Sequence, residues 1–442
     1  MSSILTLRTG AWFGDGKIEL PMPSEWEVDV LRPVTPTPLK NEQLERILDQ
    51  PVGQASIEEL CKGKSKPVII VDDLNRPTPI STVMPLLLKR IWDSGIPKHN
   101  VTIIMATGTH GHPDQNAWLK KIGAEAVSSS RLLIHDCFRD VIKIGVTTHG
   151  TPVFVNKAVM EGDLVIGIGG IYPNLTAGFG GGSKLALGVL GIRTIYKLHF
   201  RHKMSGWGLN EVDNSFRREL DEIAGMIGMN MSISMMIDAD RNIIQMYCGI
   251  QREYFHEAVK NYCNIFTTRK PDEADVVISN SYPNDLSLTF ARIKGFMPLE
   301  SCNSGASRVA IASCSEGVGL HNVFPFVNMP RFHRVRHILR RISSMSPGET
   351  MSKTVEVIRR KMKSPMNKNS NQRMASAPGI GKSEYPVWLY RPGDHSVELP
   401  SFIPGINITS NWVEILEAIR REQGNRKNLK VLVYPCAFLQ IF

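Results

Sequence analysis

The chain has 442 residues, enough for two or three domains with buried cores, so a single small module is excluded. Apolar residues make up 42% and charged residues 21%, a balance that predicts folding along most of the length. The longest apolar runs, such as 67–71 and 164–168, fall far short of the roughly 18 residues needed to cross a bilayer, so no membrane span is expected. Met1 to Gly10 contains no continuous apolar stretch, which argues against a secretory leader. The seven cysteines (Cys61, Cys137, Cys248, Cys263, Cys302, Cys314 and Cys436) are odd in number and show no C-x-x-C spacing. Free thiols in a reducing cytoplasm are expected, and neither a disulfide framework nor a zinc ribbon is.

The net charge of +10 resides in one segment: residues 331–373 hold 12 Lys and Arg against Glu349 and Glu356, leaving 40 basic and 40 acidic residues elsewhere. A nucleic-acid-binding face more often carries a basic stripe across folded elements, with aromatic residues interleaved. This stretch has only Phe332 to offer. It reads either as a solvated insertion over about 331–379 or as a surface for an anionic partner.

In chain order, 67–71 (PVIIV) is a continuous apolar strand of the kind found in a parallel sheet covered on both faces. A Pro-containing loop follows, then a helix to about Asp93 that Ser81 is expected to cap. Residues 101–105 (VTIIM) form the next strand and complete a βαβ unit. Further strands are expected at 131–134, 163–168, 274–279, 307–313 and 429–433, and a helical, Met-rich stretch at 214–262. The fold class is α/β, with two domains whose sheets are largely parallel or mixed and an active-site cleft between them. The domains are placed at 1–268 and 269–426, the boundary falling near 266–271 and the closing strand within 427–442 returning to either one.

The strands end in loops where polar residues or glycines gather: 73–76, 107–110, 169–184, 280–285 and 314–319. Open α/β sheets bind ligands outside the carboxyl ends of their strands, so chemistry is expected there. Gly178 to Lys184 (GFGGGSK) is not a P-loop, which needs Gly-Lys followed by Ser or Thr, but its glycines allow backbone to approach a bulky ligand, with helix N-terminal amides nearby. His110 follows a buried strand, and His199 and His202 stand three apart; by spacing alone each is open to ligation, catalysis or a structural hydrogen bond. Asp73 and Arg76 flank a Pro-Thr-Pro turn and could simply pair to fix it.

Together these motifs resemble one family. DDLNRPTP (72–79), ATGTH (106–110), GGIYPNLTAGFGGGSKLALGVLG (169–191), the following 194–199 and FARIKG (290–295) occur in the order found in LarA-type lactate racemases, and the opening 6–23 is similar as well. The resemblance spans about residues 1–320. It implies a nickel pincer nucleotide, a pyridinium mononucleotide that takes a hydride from the α-carbon of a 2-hydroxy acid and returns it to either face. It implies Lys184 as the attachment lysine, His199 as a nickel ligand and His110 as the base for the substrate hydroxyl. It also implies cofactor contacts from Asp73, Leu74, Asn75 and Arg76, with Arg76 and Lys294 holding substrate. Partners would be the small hydroxy acid or sugar acid and the cofactor-building enzymes, with neither nucleic acid nor membrane.

Two positions depart from the family. Asn174 stands where the racemases have a second catalytic histidine, and an amide cannot take a proton at neutral pH, though Asn174 can still bind substrate. A glutamine expected at or beside Ala291 is missing. The expected function is therefore a racemase or epimerase acting on a 2-hydroxy acid other than simple lactate, with Tyr172 or His149 as the other base. The alternative is a non-catalytic relative that binds the cofactor. Lys184 and His199 lie 15 residues apart, about 22 Å along an unbroken helix, so sharing one cofactor requires the chain to reverse at Gly188–Gly191.

Overall fold

A computed structural model describes residues 3–111, 113, 116–201, 212–323, 383–393 and 397–442. The basic segment and His202 lie outside the described residues.

The strands in chain order are β1 (Ser3–Thr9), β2 (Gly16–Met22), β3 (Glu27–Val30), β4 (Pro67–Asp72), β5 (Thr102–Ala106), β6 (Arg131–Ile134), β7 (Val141–Val146), β8 (Pro152–Asn156), β9 (Leu164–Gly170), β10 (Pro173–Asn174) and β11 (Gly178–Phe179). They continue with β12 (Met229–Ile237), β13 (Ile243–Gly249), β14 (Val276–Asn280), β15 (Ser307–Ile311), β16 (Val387–Tyr390), β17 (Ile406–Thr409) and β18 (Lys430–Tyr434). Two six-stranded sheets result, ordered β13-β12-β9-β4-β5-β6 and β17-β16-β15-β14-β18-β3. The second is parallel throughout, and the first is parallel except where β13 pairs antiparallel to β12. This is the α/β class expected from the apolar runs. Every residue of β4 and β9 is buried, because helices cover both sheet faces.

Strand order reverses between β4 and β9: the chain moves outward through β5 and β6 on one side, then through β9 and β12 on the other. Such a switch point leaves a crevice at the carboxyl ends of the two strands, where loops diverge to opposite faces. Asp72 and Asp73 end β4 there, and Gly169 and Gly170 end β9.

Two expectations are corrected, and one alternative left open is resolved. The Met-rich stretch is not helical throughout: helix Ser215–Met226 gives way to β12 and β13 before helix Gln251–Phe266 resumes. Methionine fits either state, and here burial of 229–237 (MNMSISMMI) beside β9 overrides its helical propensity. Helix Ile80–Asp93 begins one residue before Ser81, with Pro79 at the cap position and no side-chain cap bond. The closing strand β18 pairs with β14 and β3 in the second sheet, so residues 27–30 also belong there although they precede the first sheet in sequence. The tail beyond β18 returns to the first sheet's side, where Cys436, Phe438 and Leu439 pack with Tyr172 and Tyr262. None of the helices among the described residues is long and apolar enough to cross a membrane.

Candidate active site

The loop after β4 is held from below. Asp72 accepts from Thr78 Oγ1 (2.7 Å) and the Gly170 amide (3.0 Å), and its other oxygen lies 2.5 Å from Lys121 Nζ. Lys121 Nζ also donates to the Arg76 and Thr78 carbonyls (2.8 and 3.1 Å). Burial pushes the Asp72 carboxyl up and the Lys121 amine down, while each charge opposes that effect on the other. This pair shapes the 73–78 turn. Asp73 does not pair with Arg76 to fix it; its Oδ2 lies 2.6 Å from His110 Nδ1 and accepts from Asn75 Nδ2 at 2.9 Å.

Burial alone would raise Asp73, but the His110 contact, with Arg76 and Asn75 adding to it, holds the carboxyl down at about 2. An ionised carboxylate only accepts, so His110 carries its proton on Nδ1 and presents Nε2 as the acceptor. The His110 loop sits directly on the turn that follows Lys184. Gly108 N donates to Gly188 O at 2.9 Å, and a Cβ on Gly188 would stand 2.5 Å from Ala106 Cβ, so only glycine permits the approach.

The glycine loop 178–183 is braced by a residue with no motif of its own. Arg217, on helix Ser215–Met226, is buried and donates to the Ala177, Phe179 and Gly181 carbonyls and to Ser183 Oγ. Its guanidinium lies 4.2 Å from the Phe255 ring centre, and burial pushes its pKa down to about 10. The helix that follows, Lys184–Leu187, is a single turn, so charge for holding an anion comes from side chains and not from helix N-terminal amides. The helix breaks between Leu187 and Ile192, so Lys184 and His199 do not lie on one unbroken helix, and helix Ile192–Arg201 carries His199.

Burial, reinforced by the Arg76 and Arg217 charges, pushes the Lys184 amine down to about 7. His199 Nδ1 donates to the Ile195 carbonyl at 2.7 Å, making Nε2 the acceptor nitrogen, and burial with the Lys184 charge pushes the ring down to about 4. Lys294 lies on a π-helical turn, Ala291–Gly295, of a kind often found at functional sites. Burial, followed by the Arg76 and Lys184 charges, drives its amine well below the usual lysine range. Electrostatic coupling thus puts Arg76, Lys184 and Lys294 in one neighbourhood, with His199 tied to it through Lys184.

A cavity of ≈ 200 Å³ opens beside His110, lined by Asp73, Leu74 and Asn75 from the first half and by Ser287, Phe290 and Glu316 from the second. Asn75 Oδ1 and Ser287 Oγ are buried on its wall without hydrogen-bond partners, as expected of groups awaiting a polar ligand. Asn174 lies on β10, and its Oδ1 accepts from Thr176 N, Thr176 Oγ1 and Ala177 N (3.1, 2.8 and 3.0 Å). Only the Asn174 amide nitrogen remains to meet a substrate, and it can donate but cannot act as a base.

The two candidates for a second base do not fit that role. Tyr172 OH shares a 2.8 Å hydrogen bond with Thr78 Oγ1, and burial beside Asp72 keeps the phenol protonated far above neutrality. His149 lies exposed on the β7–β8 turn, next to Thr148, which binds Glu222. His321, in contrast, escaped the sequence reading. It follows the 314–319 loop by two residues, pairs backbone to backbone with His110, and its ring centre stands 5.2 Å from that of His110. Burial and the charges of His110, His199, Arg76 and Lys184 hold its pKa well below the usual imidazole range.

The lactate racemase N-terminal domain family, Lar_N, matches residues 13–208. The lactate racemase of Lactiplantibacillus plantarum is 29% identical over 289 residues, which is 63% of this chain and 68% of that protein. The lactate racemase of Thermoanaerobacterium thermosaccharolyticum is 27% identical over 321 residues, 70% of this chain and 74% of that one. The solved lactate racemase apoprotein from Thermoanaerobacterium thermosaccharolyticum shares the fold with a TM-score of 0.71 at 22% identity, covering 99% of both chains. Motif order, domain match and fold agree: residues 13–208 match the lactate racemase N-terminal domain, and the chain as a whole is similar to the LarA-type lactate racemases.

Proposed function

We propose that the protein is a racemase or epimerase of a 2-hydroxy acid that works with a nickel pincer nucleotide held by Lys184 and His199. The observation that carries this reading is the grouping of a depressed lysine amine, an imidazole with an acceptor Nε2 and two further cations beside the Asp73–His110 pair.

The residues present fit such a cofactor. A lysine near neutrality has a nucleophilic amine fraction suited to covalent attachment. Among the described residues no three His, Cys, Asp or Glu side chains converge as a metal site, so a metal at His199 would draw its other ligands from the cofactor. The glycine loop stands where bulk must be accommodated, and Arg76, Lys184 and Lys294 supply positive charge for phosphate and carboxylate. When bound, the cofactor supplies a hydride acceptor next to the substrate α-carbon.

The chain's own residues do the rest. His110 Nε2 takes the hydroxyl proton and returns it, with Asp73 holding the tautomer and stabilising the charged ring, as carboxylate–histidine pairs do elsewhere. Arg76 and Lys294 hold the substrate carboxylate, and Asn174 can donate to a second oxygen. Because the Asn174 amide cannot act as an acid or a base, simple lactate is a poor substrate, and a larger hydroxy acid or sugar acid is the better candidate. The purely cofactor-binding alternative leaves the Asp73–His110 tautomer lock without a use. A cytoplasmic location is part of this reading, supported by the free cysteines and by the need for cofactor-building enzymes.

The test is coexpression with the cofactor-building enzymes, followed by intact mass, nickel analysis and chiral chromatography of a panel of 2-hydroxy acids. A Lys184-linked adduct, bound nickel and interconversion of one panel member are expected. Nickel-loaded protein inert on the whole panel would support the cofactor-binding alternative, and absence of an adduct would overturn the reading.

A further inference from the structure

We infer that His321 is a catalytic residue whose Nε2–H donates to the oxygen on the carbon that loses and regains hydride, while His110 Nε2 exchanges that oxygen's proton. The inference rests on the proposed hydride-transfer reading and adds a residue from the second half of the molecule to it.

The placement is built by backbone. Asn322 N donates to Thr109 O at 2.8 Å and Gly111 N to Leu320 O at 3.2 Å, so segments 109–111 and 320–322 lie antiparallel and bring the two histidines opposite each other. Both rings rest on Phe290, with centres 4.6 Å (His110) and 6.0 Å (His321) from it. The ring centres of the two histidines are 5.2 Å apart, with their planes tilted 56° to one another. The adjoining cavity is lined by Gly319 and Leu320 from the same loop.

The two rings are locked as opposite tautomers. Asp73 forces the His110 proton onto Nδ1, whereas the Val323 amide donates to His321 Nδ1 at 3.3 Å and leaves the His321 proton on Nε2. One ring is therefore an acceptor and the other a donor. A neutral imidazole donor polarises a carbonyl without transferring its own proton, a role that triosephosphate isomerase gives to one of its histidines. The balance would be complete with the cofactor bound: it would supply the acceptor for the hydride from carbon, while His110 takes the proton from oxygen, giving a keto acid. Both are then returned, to the same or the opposite face. His321 gains and loses nothing, but its bond to oxygen strengthens as negative charge develops there on hydride return.

The test has a binding arm and a turnover arm. In the cofactor-free full chain, carbonyl-labelled pyruvate and 2-oxoglutarate are bound and the carbonyl stretch is read by infrared difference spectroscopy. Wild type is expected to lower the stretch, His321→Ala to abolish the shift, and His321→Gln, which keeps a donor, to retain most of it. In the loaded enzyme, His321→Ala should lower kcat by about 10²- to 10³-fold with nickel and adduct mass unchanged, and His321→Gln should recover activity to within about tenfold of wild type. An unshifted carbonyl in wild type, an unchanged shift in both variants, or an effect of His321→Ala confined to KM with kcat unchanged overturns the inference. Missing nickel or adduct in wild type instead counts against the proposed function, and the infrared arm still decides on His321.

Discussion

Asp73 Oδ2 lies 2.6 Å from His110 Nδ1, and this contact joins the end of β4 to the loop after β5. The two strands are hydrogen-bonded neighbours, so their carboxyl ends are already side by side and the pair needs only short loops. Asp73→Asn keeps the shape but lets the amide donate, which releases the tautomer lock on His110. A kcat loss of about 10²- to 10⁴-fold is expected in loaded protein, with nickel content retained. Because the Asp73 carboxyl is lowered from 3.8 to about 2, the stability that it gains from His110 is present above pH 3.8 and is lost as pH falls through about 2. An unaltered kcat in Asp73→Asn would remove the pair from the mechanism.

Lys184 gives a different pH signature. Its pKa falls from 10.5 to about 7 on folding, so between these values the unfolded chain holds a proton that the native chain has released, and stability rises with pH across that window. Acetic anhydride should label Lys184 in cofactor-free protein with a midpoint near pH 7, while exposed lysines label at much higher pH. Lys184→Met should raise the urea midpoint at pH 6 and raise it less at pH 9.5. Peptide mass spectrometry showing Lys184 labelling only in step with surface lysines would contradict the depressed amine.

The parallel strands and the loops at their ends were legible because a buried strand leaves a continuous apolar run and a ligand loop leaves glycines and charges. What was not legible lacks any local pattern. Lys121 and Arg217 lie on ordinary amphipathic helices, and only the tertiary fold turns them inward onto carbonyls of the 76–78 turn and the glycine loop. His321 lies just past a loop that the sequence did single out. Its relevance comes from pairing with His110 across more than 200 residues of chain, which no spacing rule reveals. The Met-rich strands failed for the opposite reason, since their composition suits a helix and only their position beside β9 decides otherwise.

Arg217 should behave as a positioning residue. Its removal leaves the Ala177, Phe179 and Gly181 carbonyls without their donor in a buried loop, at a cost of about 3 kcal/mol, and Lys cannot replace a planar fork that serves several acceptors. Both Arg217→Ala and Arg217→Lys should lower the urea midpoint and, at a temperature where the variants remain folded, reduce adduct formation at Lys184. Full loading in folded Arg217→Ala would show that the glycine loop holds its shape unaided.

Asn174→His tests the departure from the family most directly. Asn174 Oδ1 accepts three hydrogen bonds within its own turn, and a histidine Nδ1 occupies a comparable position on the side chain. One acceptor nitrogen cannot satisfy all three donors, so a loss of about 1 kcal/mol is expected, small enough to leave the protein folded. Accepting through Nδ1 would set the new ring's proton on Nε2 and would add a group able to exchange that proton. Lactate racemisation by loaded Asn174→His should therefore rise above the low level expected of wild type, and a second substitution, His110→Ala, should abolish it. Robust lactate racemisation by the unaltered protein would instead mean that His110 and the donor groups already present suffice for both faces.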